Sequence, residues 1–566
     1  MKKMKRLFAV LLALAMVLGM SVVTFAAPGD ESSDPVITVK NVHESATVTY
    51  AQIIEPDSTQ VTGWAFAKKD PDTVTDQAAN FIKAIKADTA NTNKSEQDII
   101  AGLLIYQHGE IKSGEEATAE DKFLATVEGS AATITATLLQ NAFAAVTPPD
   151  TNTAASSDAD YTIPITKAGI YVIKVENQIV REDSNDATSK ITSQINYSPM
   201  AAFVAFQYNP DGTAAALQSV DVTAKKQDLV LTKEDNEEDK VVAVNDIVTY
   251  TIRTTVPYIP TDVTDDKVYF NIVDKIKGAQ YVVNKDLSDG PCPVIAEDDL
   301  ASAAKTDIPV TVKLAGETFS GITTAAWQTA EGYDGSFSLA LGDIAEDRNN
   351  AGKALEITYK AYVQKTVVDN KANTEVKTKN DQEIPDKGPE DEDKIYTASL
   401  KMTKKDAEDQ SITLKGAKFV VYYENNGTTY YAVTKKAEES ENVDYIVTGW
   451  TETKPEGDAN LLITKDDGTV TVKGFENDED RVYKFEEVEA PDGYSLNTAP
   501  AELEKWSDIE SDIENEKVGE YSLLDTKLSA LPSTGGIGTT IFTIAGCLIM
   551  IAAAGLFFAT RRKSAK

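Results

Sequence analysis

Leu355-Glu356-Ile357-Thr358-Tyr359-Lys360-Ala361-Tyr362-Val363 places an apolar or aromatic side chain at every second position, as does Asp246-Ile247-Val248-Thr249-Tyr250-Thr251-Ile252 earlier in the chain. A period of two is what a strand with one buried face requires, because successive side chains point to opposite faces of a sheet. Almost all of residues 226–380 reads this way. The pattern resumes over residues 394–528, where Asn425-Asn426-Gly427 and Asp466-Asp467-Gly468 supply turn chemistry between runs. Many short strands with regular turns predict β-sandwiches. Between the two stretches, Asp381 to Asp393 (DQEIPDKGPEDED) is rich in proline and acid and reads as an acidic hinge.

Residues 27–222 are mixed. Val36 to Val39, Ala46 to Ile54 and Gly169 to Val175 alternate like strands, whereas Phe81 to Ala87, Asp98 to Gln107 and Asp121 to Val127 carry apolar residues at helical spacing. Thr147 to Asp160 reads as a loop. The expectation is a mainly β chain: an α+β N-terminal module over 27–222, then tandem immunoglobulin-like β-sandwich modules over 226–380 and 394–528. Three modules agree with 566 residues at roughly 150 per domain. A content of 42% apolar and 26% charged residues is that of a globular protein.

The two ends define a compartment. Lys2, Lys3, Lys5 and Arg6 precede a short apolar run from Leu7 to Gly19, and Thr24 and Ala26 supply small residues for cleavage after Ala26, so residues 1–26 read as a secretory signal peptide. At the other end Leu531-Pro532-Ser533-Thr534-Gly535 comes first, then the uncharged stretch 537–560, then a basic tail over 561–566 with Arg561, Arg562, Lys563 and Lys566. The apolar stretch is long enough to span a bilayer, and the basic tail belongs on the cytoplasmic side.

Charge and composition exclude several classes. The net charge of -35 leaves no basic face for nucleic acid. Both ends are free of acids and carry four basic residues each, so the mature chain reaches about -43, a charge suited to solubility on a crowded exposed surface. No acidic run has the spacing of a calcium loop. Two cysteines and two histidines leave no disulfide framework, zinc site or histidine-based catalytic engine, and no cofactor is expected. A hydrolase lacks support, since the serines have no histidine partner beyond His43 and His108 and no paired carboxylates can be assigned to a cleft.

The terminal pentapeptide resembles the LPXTG cell-wall sorting signal of Gram-positive surface proteins, in which a sortase cuts between threonine and glycine, here Thr534 and Gly535. Leu414-Lys415-Gly416-Ala417-Lys418-Phe419 resembles the L-x-G-A-x-F of Cna B-type domains. The stretch from Tyr483 to Tyr494 (YKFEEVEAPDGY) is similar to the pilin E-box, with Phe485 and Val488 in place of the usual leucine and threonine. Val244 to Tyr250 and Tyr269 to Asp274 resemble strands of the second pilin domain, although Asn245 replaces the usual glycine. Together these resemble sortase-assembled major pilins, the fimbrial backbone subunits of Gram-positive bacteria, along nearly the whole chain.

The resemblance implies internal isopeptide bonds, each built from a lysine, an asparagine or aspartate, and an acid inside an apolar core. Burial disfavours charge, so the lysine becomes a neutral nucleophile while the acid polarises the carbonyl under attack. In the third module Leu400, Met402 and Lys404 share a face by parity and the family pattern selects the same lysine; Glu487 is the E-box acid. Asp525, sharing a face with Leu523, stands where the family usually has asparagine. In the middle module Leu229, Leu231 and Lys233 alternate onto one face, Asp274 follows Phe270 and Ile272 in parity, and Asn370 is favoured over Asn373 because it shares a face with Ala372 and Val376. The first module shows no convincing trio; Lys40 alternates away from Ile37 and Val39, and Lys174 lacks an identifiable partner.

Pilins also carry a V-x-V-Y-P-K-N type motif whose lysine is joined to the next subunit. Here the aligned segment is Val220-Asp221-Val222-Thr223-Ala224-Lys225-Lys226, with Lys225 the match and Lys226 its rival. The implied function is a non-enzymatic shaft subunit of a covalent pilus, with sortases, other copies of itself, accessory pilins, peptidoglycan and a host surface as partners. The alternative is a monomeric wall-anchored adhesin for host matrix or glycan, or a minor pilin.

Overall fold

The computed structural model describes residues 35–528 and 538–563, apart from 44–45, 149, 154–159, 205, 209–213, 260–262, 302–305, 379–381, 439–441, 478–480 and 509–516. The signal segment 1–26 and the pentapeptide Leu531 to Gly535 therefore lie outside the described residues. The chain is mainly β and forms two compact units: residues up to Ile395 without Val241–Asn245, and Tyr396 onward together with Val241–Asn245.

In the first unit, the strands Gly169–Val175 and Thr47–Pro56 pair antiparallel at the centre of a sheet. Both faces of that sheet are covered. Ile170 and Val172 join a core with Phe81, Ile85, Leu103, Leu139 and Phe143 from the helices Asp76–Lys86, Glu96–His108 and Ala136–Ala145. Tyr171, Ile173 and Val175 face the opposite core with Ile37, Val39, Val220 and Val222. The helices at 76–86, 96–108 and Ala119–Val127 fall where the periodicity places them, and Ser95 and Thr118 close two of them as reciprocal capping boxes. The helix Ala136–Ala145 is additional; it buries Leu139, Ala142 and Phe143 at helical spacing, but with alanine in so many positions the period is faint in the sequence. Asp150–Thr153, read as loop, is a strand paired with Thr47–Tyr50.

Farther along the same unit lie two larger sheets. The seven-stranded one has Leu231–Asp235 at one edge beside Asp246–Thr255, followed by Ala354–Val363 and Thr311–Leu314. The six-stranded one places Tyr269–Lys277 between Gly335–Ala340 and Val367–Lys377. Its far edge corrects the hinge expected over 381–393, because Asp386–Tyr396 is an eleven-residue strand next to Val367–Lys377. Cations drawn from distant sequence make this possible. Lys190 meets Asp391 at 2.5 Å, Lys371 meets Glu392 at 2.5 Å, and Lys240 meets Asp393 at 2.9 Å.

The second unit is one continuous hydrogen-bonded sheet of nine strands folded over a core of Leu400, Met402, Phe419, Trp450, Val472, Phe485 and Tyr521. Its first strand, Ala398–Asp406, runs parallel to its last, Lys517–Asp525. Asn426 and Gly427 form a two-residue hairpin turn with φ of 50° and 83°, the left-handed conformation such a turn demands. Beyond this sheet, Gly538–Lys563 is a helix whose window Phe542–Thr560 is apolar enough to cross a membrane, with none of it buried.

Asp393 gives this architecture a pH dependence. Burial, and next the adjoining Asp235 carboxyl, push it up to about 7, while Lys240 pulls the other way. An unfolded aspartate titrates near ~3.9, so folding takes up a proton between these values and stability falls as pH rises from about 4 to about 7. Asp393→Asn is expected to flatten that decline for the first unit, read as its melting temperature between pH 4.5 and 8; parallel curves for the two proteins would refute this.

Candidate functional site

Two lysines are fully withdrawn from water, one in each unit, and each meets carboxyl groups there.

Lys233 is the middle residue of Leu231–Asp235, with Leu231 turned inward alongside it and Thr232 and Glu234 exposed. Asp274 and Asn370 come from the other sheet: Asp274 pairs with Ala372 and Ile276 with Asn370, so acid and amide lie diagonally on one face. All three are buried, whereas Asn373 is half-buried on the opposite face with Lys371 and Glu375. Lys233 Nζ donates to Asp274 Oδ2 and to Tyr359 Oη. Tyr281 Oη donates to Asp274 Oδ1 at 2.8 Å, Tyr359 Oη donates to Asp274 Oδ2 at 2.9 Å, and Asn370 Nδ2 donates to Tyr359 Oη at 2.9 Å. Asn370 Oδ1 is buried with no donor among the described residues. The amine also lies 5.1 Å and 5.0 Å from the ring centres of Tyr250 and Tyr359.

Burial is the largest influence on this amine and pulls its pKa down, against the attraction of Asp274. The same burial pushes Tyr250, Tyr281 and Tyr359 well above the usual phenol range, so all three keep their protons. The site thus holds an amine whose charge is opposed by burial, an acid in contact with it, and an amide whose carbonyl oxygen meets no donor among the described residues. Sequence reasoning missed the tyrosines. The signal was available in Leu355, Ile357, Tyr359 and Ala361, which mark the inward face of their strand, because a phenol placed there needs a polar partner.

In the second unit Leu400, Met402, Lys404 and Asp406 face inward. The parallel register pairs Lys404 with Leu523 and Asp406 with Asp525, so the Asp525 side chain lies one step along the same face. Lys404 Nζ donates to Asp525 Oδ1 and lies 2.9 Å from Glu487 Oε1. Glu487 arrives from Lys484–Glu489, which pairs with Lys418–Asn425. All three side chains are completely shielded, and Asp525 Oδ2 has no hydrogen-bond partner among the described residues. Burial raises the pKa of Glu487 against the pull of Lys404, which favours the protonated acid. Asn497, not anticipated from sequence, braces the site: its backbone N–H donates to Glu487 Oε2 at 2.9 Å and its Nδ2 donates to Leu524 O at 2.8 Å.

Lys225 and Lys226 are both exposed, between the strand Val220–Thr223, whose valines are buried, and the strand Lys226–Leu229. Lys40 forms a surface pair with Asp221 at 2.8 Å, and Lys174 Nζ donates to Ala144 O at 2.5 Å. Among the described residues, no group of three His, Cys, Asp or Glu side chains is placed to hold a metal ion.

Residues 398–517 match the SpaA prealbumin-like fold domain, and residues 524–566 match the LPXTG cell wall anchor motif. No curated protein sequence matches the chain. Among solved structures, it is similar to the T6 backbone pilin of serotype M6 Streptococcus pyogenes, with 14% identity and a TM-score of 0.45, covering 88% of this chain and 100% of that one. It is also similar to the full-length major pilin SpaD of Corynebacterium diphtheriae, with 16% identity and a TM-score of 0.40, covering 89% of this chain and 100% of that one. The major pilin SpaA of the same species is 14% identical, with a TM-score of 0.36, covering 87% and 100%. The chain is a cell wall-anchored surface protein of a Gram-positive bacterium that carries a prealbumin-like fold domain.

Asn497→Ala keeps the backbone donor to Glu487 but strips a hydrogen bond from Leu524 O. It is expected to cost about 1 kcal/mol, seen as a lower melting transition of the second unit; an unchanged transition would show that Asn497 does not brace the acceptor strand.

Proposed function

We propose that this protein is the structural shaft subunit of a covalent pilus, hardened by two self-made amide bonds and polymerised by sortase. The observation that carries this reading is the pairing of two buried lysine–acid–acceptor clusters with a wall-anchor signal on one chain. An ion pair buried at zero exposure pays a large desolvation penalty. In the second unit, joining Lys404 to Asp525 as a neutral amide removes both charges; in the first, joining Lys233 to Asn370 removes the charge of the lysine.

In the first unit, Lys233 Nζ attacks Asn370 Cγ, the Cγ–Nδ2 bond breaks, and ammonia leaves. In the second, Lys404 Nζ attacks Asp525 Cγ, Glu487 gives its proton to the departing carboxyl oxygen, which leaves as water, and regains a proton from the amine nitrogen. The protein changes itself once and turns nothing over. A pilus sortase then cuts after Thr534 and joins its carbonyl to Lys225 of the next copy; accessory pilins and peptidoglycan complete the assembly. Exposure of Lys225 and Lys226 suits either as the acceptor, and the V-x-V-x-x-K spacing favours Lys225.

The intact mature chain should weigh less than its sequence by about 17 Da for the asparagine acceptor and about 18 Da for the aspartate acceptor. Glu487→Gln should restore the second loss alone and make the second unit more sensitive to protease. An unmodified wild-type mass, with Lys233 and Lys404 both cleavable by trypsin, would sink the cross-linking reading.

Polymerisation has a separate readout. Wall extracts boiled in detergent should give a high-molecular-weight ladder on immunoblotting, reduced in Lys225→Ala to wall-anchored monomer. A ladder lost only in Lys226→Ala would move the acceptor by one residue, and a single band from the wild type would favour the monomeric adhesin.

A further inference from the structure

We propose that Tyr359 is a catalytic residue of the first cross-link, its hydroxyl carrying a proton from the attacking lysine nitrogen to the departing amide nitrogen. This rests on the reading that Lys233 and Asn370 become joined. One oxygen, Tyr359 Oη, accepts from Lys233 Nζ, accepts from Asn370 Nδ2 at 2.9 Å and donates to Asp274 Oδ2 at 2.9 Å. It touches both the nitrogen that enters the new bond and the nitrogen that leaves the old one.

The proton balance needs such a group. A neutral amine with two hydrogens must give one up as the Nζ–Cγ bond forms, and the amide nitrogen must gain one to leave as ammonia when Cγ–Nδ2 breaks. The side-chain hydrogen bonds of Asp274 run to Lys233, Tyr281 and Tyr359, so the acid reaches the amide through Tyr359. As the Nδ2 lone pair is freed in the tetrahedral intermediate, the hydroxyl swings its proton from Asp274 Oδ2 to Nδ2, receives the Nζ proton in its place and ends as it began, with no external acid or base consumed. The phenol keeps its proton at ordinary pH because burial pushes it well above its usual range. Among the described residues the second unit has no matching phenol: the polar side-chain contacts of Lys404 Nζ run to Glu487 and Asp525, and the Tyr521 hydroxyl donates to Tyr483 O at 3.1 Å.

Tyr359→Phe removes only the oxygen. The ring stays packed edge-on against Phe337, with centroids 5.1 Å apart, and stacked on Tyr250 at 5.8 Å. The mature chain would be made by cell-free synthesis, sampled over time and digested, and the branched Lys233–Asn370 peptide quantified beside the Lys404–Asp525 peptide as internal standard. The expected result is formation of the first slowed on the order of 100-fold, the scale of lost general acid–base help, with the second unaffected. A branched Lys233–Asn370 peptide that forms as fast in Tyr359→Phe as in wild type would leave the cross-link standing and overturn the role of Tyr359. Its absence from the wild type would remove the cross-link, and with it the relay. Should Tyr359→Phe fold poorly, 3-fluorotyrosine at position 359 keeps size and hydroxyl while lowering proton affinity. A shifted pH–rate profile supports proton transfer, and an unshifted one reduces Tyr359 to packing.

Discussion

A lysine ammonium enclosed in an apolar sandwich is the constraint to which both clusters answer. Water cannot reach Lys233 or Lys404, so each Nζ must be met by protein atoms or lose its charge. The first unit meets it with Asp274 and a ring of phenols from three different strands. The second uses two carboxyl groups, Glu487 and Asp525. Strand register does the positioning in both. Asn370 lies diagonal to Asp274 through the Ala372 pairing, and Asp525 lies one step past Lys404 through the Leu523 pairing. A slip of one residue in either ladder would turn the reacting side chain to the opposite face.

Parity is why so much of the candidate site was legible. Alternation from Leu229 to Lys233 and from Leu400 to Lys404 brought each lysine to an inward face, and both are buried. Parity also separated Asn370 from Asn373, which the structure puts on opposite faces. It could not reveal what the other sheet contributes. Tyr359 reads as an ordinary strand tyrosine until the opposing sheet brings Asp274 and Asn370 to its hydroxyl, and Asn497 lies in a segment with no periodicity at all.

The edge strand Asp386–Tyr396 marks where local reading fails for a different reason. Composition alone makes it a solvated linker, since four acids in succession repel and two prolines lie nearby. Besides Lys387 and Lys394 within the strand, its partners include Lys190, Lys240 and Lys371, the first two more than 150 residues upstream and the third on the neighbouring strand. Nothing in a window of a dozen residues records that these three will arrive. The helix Ala136–Ala145 fails on shorter range, because alanines fill much of its inward face and leave few large apolar residues to mark the period.

The parallel pairing of Ala398–Asp406 with Lys517–Asp525 has a mechanical meaning. The two strands point the same way, so tension entering before Ala398 and leaving after Asp525 loads their hydrogen bonds lengthwise in shear, all together, where an antiparallel pair held at its open ends would unzip one bond at a time. Were Lys404 joined to Asp525, as proposed, the load would cross to the exit strand within a few residues of the end. The chain between them, residues 405–524, would then hang off the line of tension as a closed loop, free to vary its surface without weakening the thread.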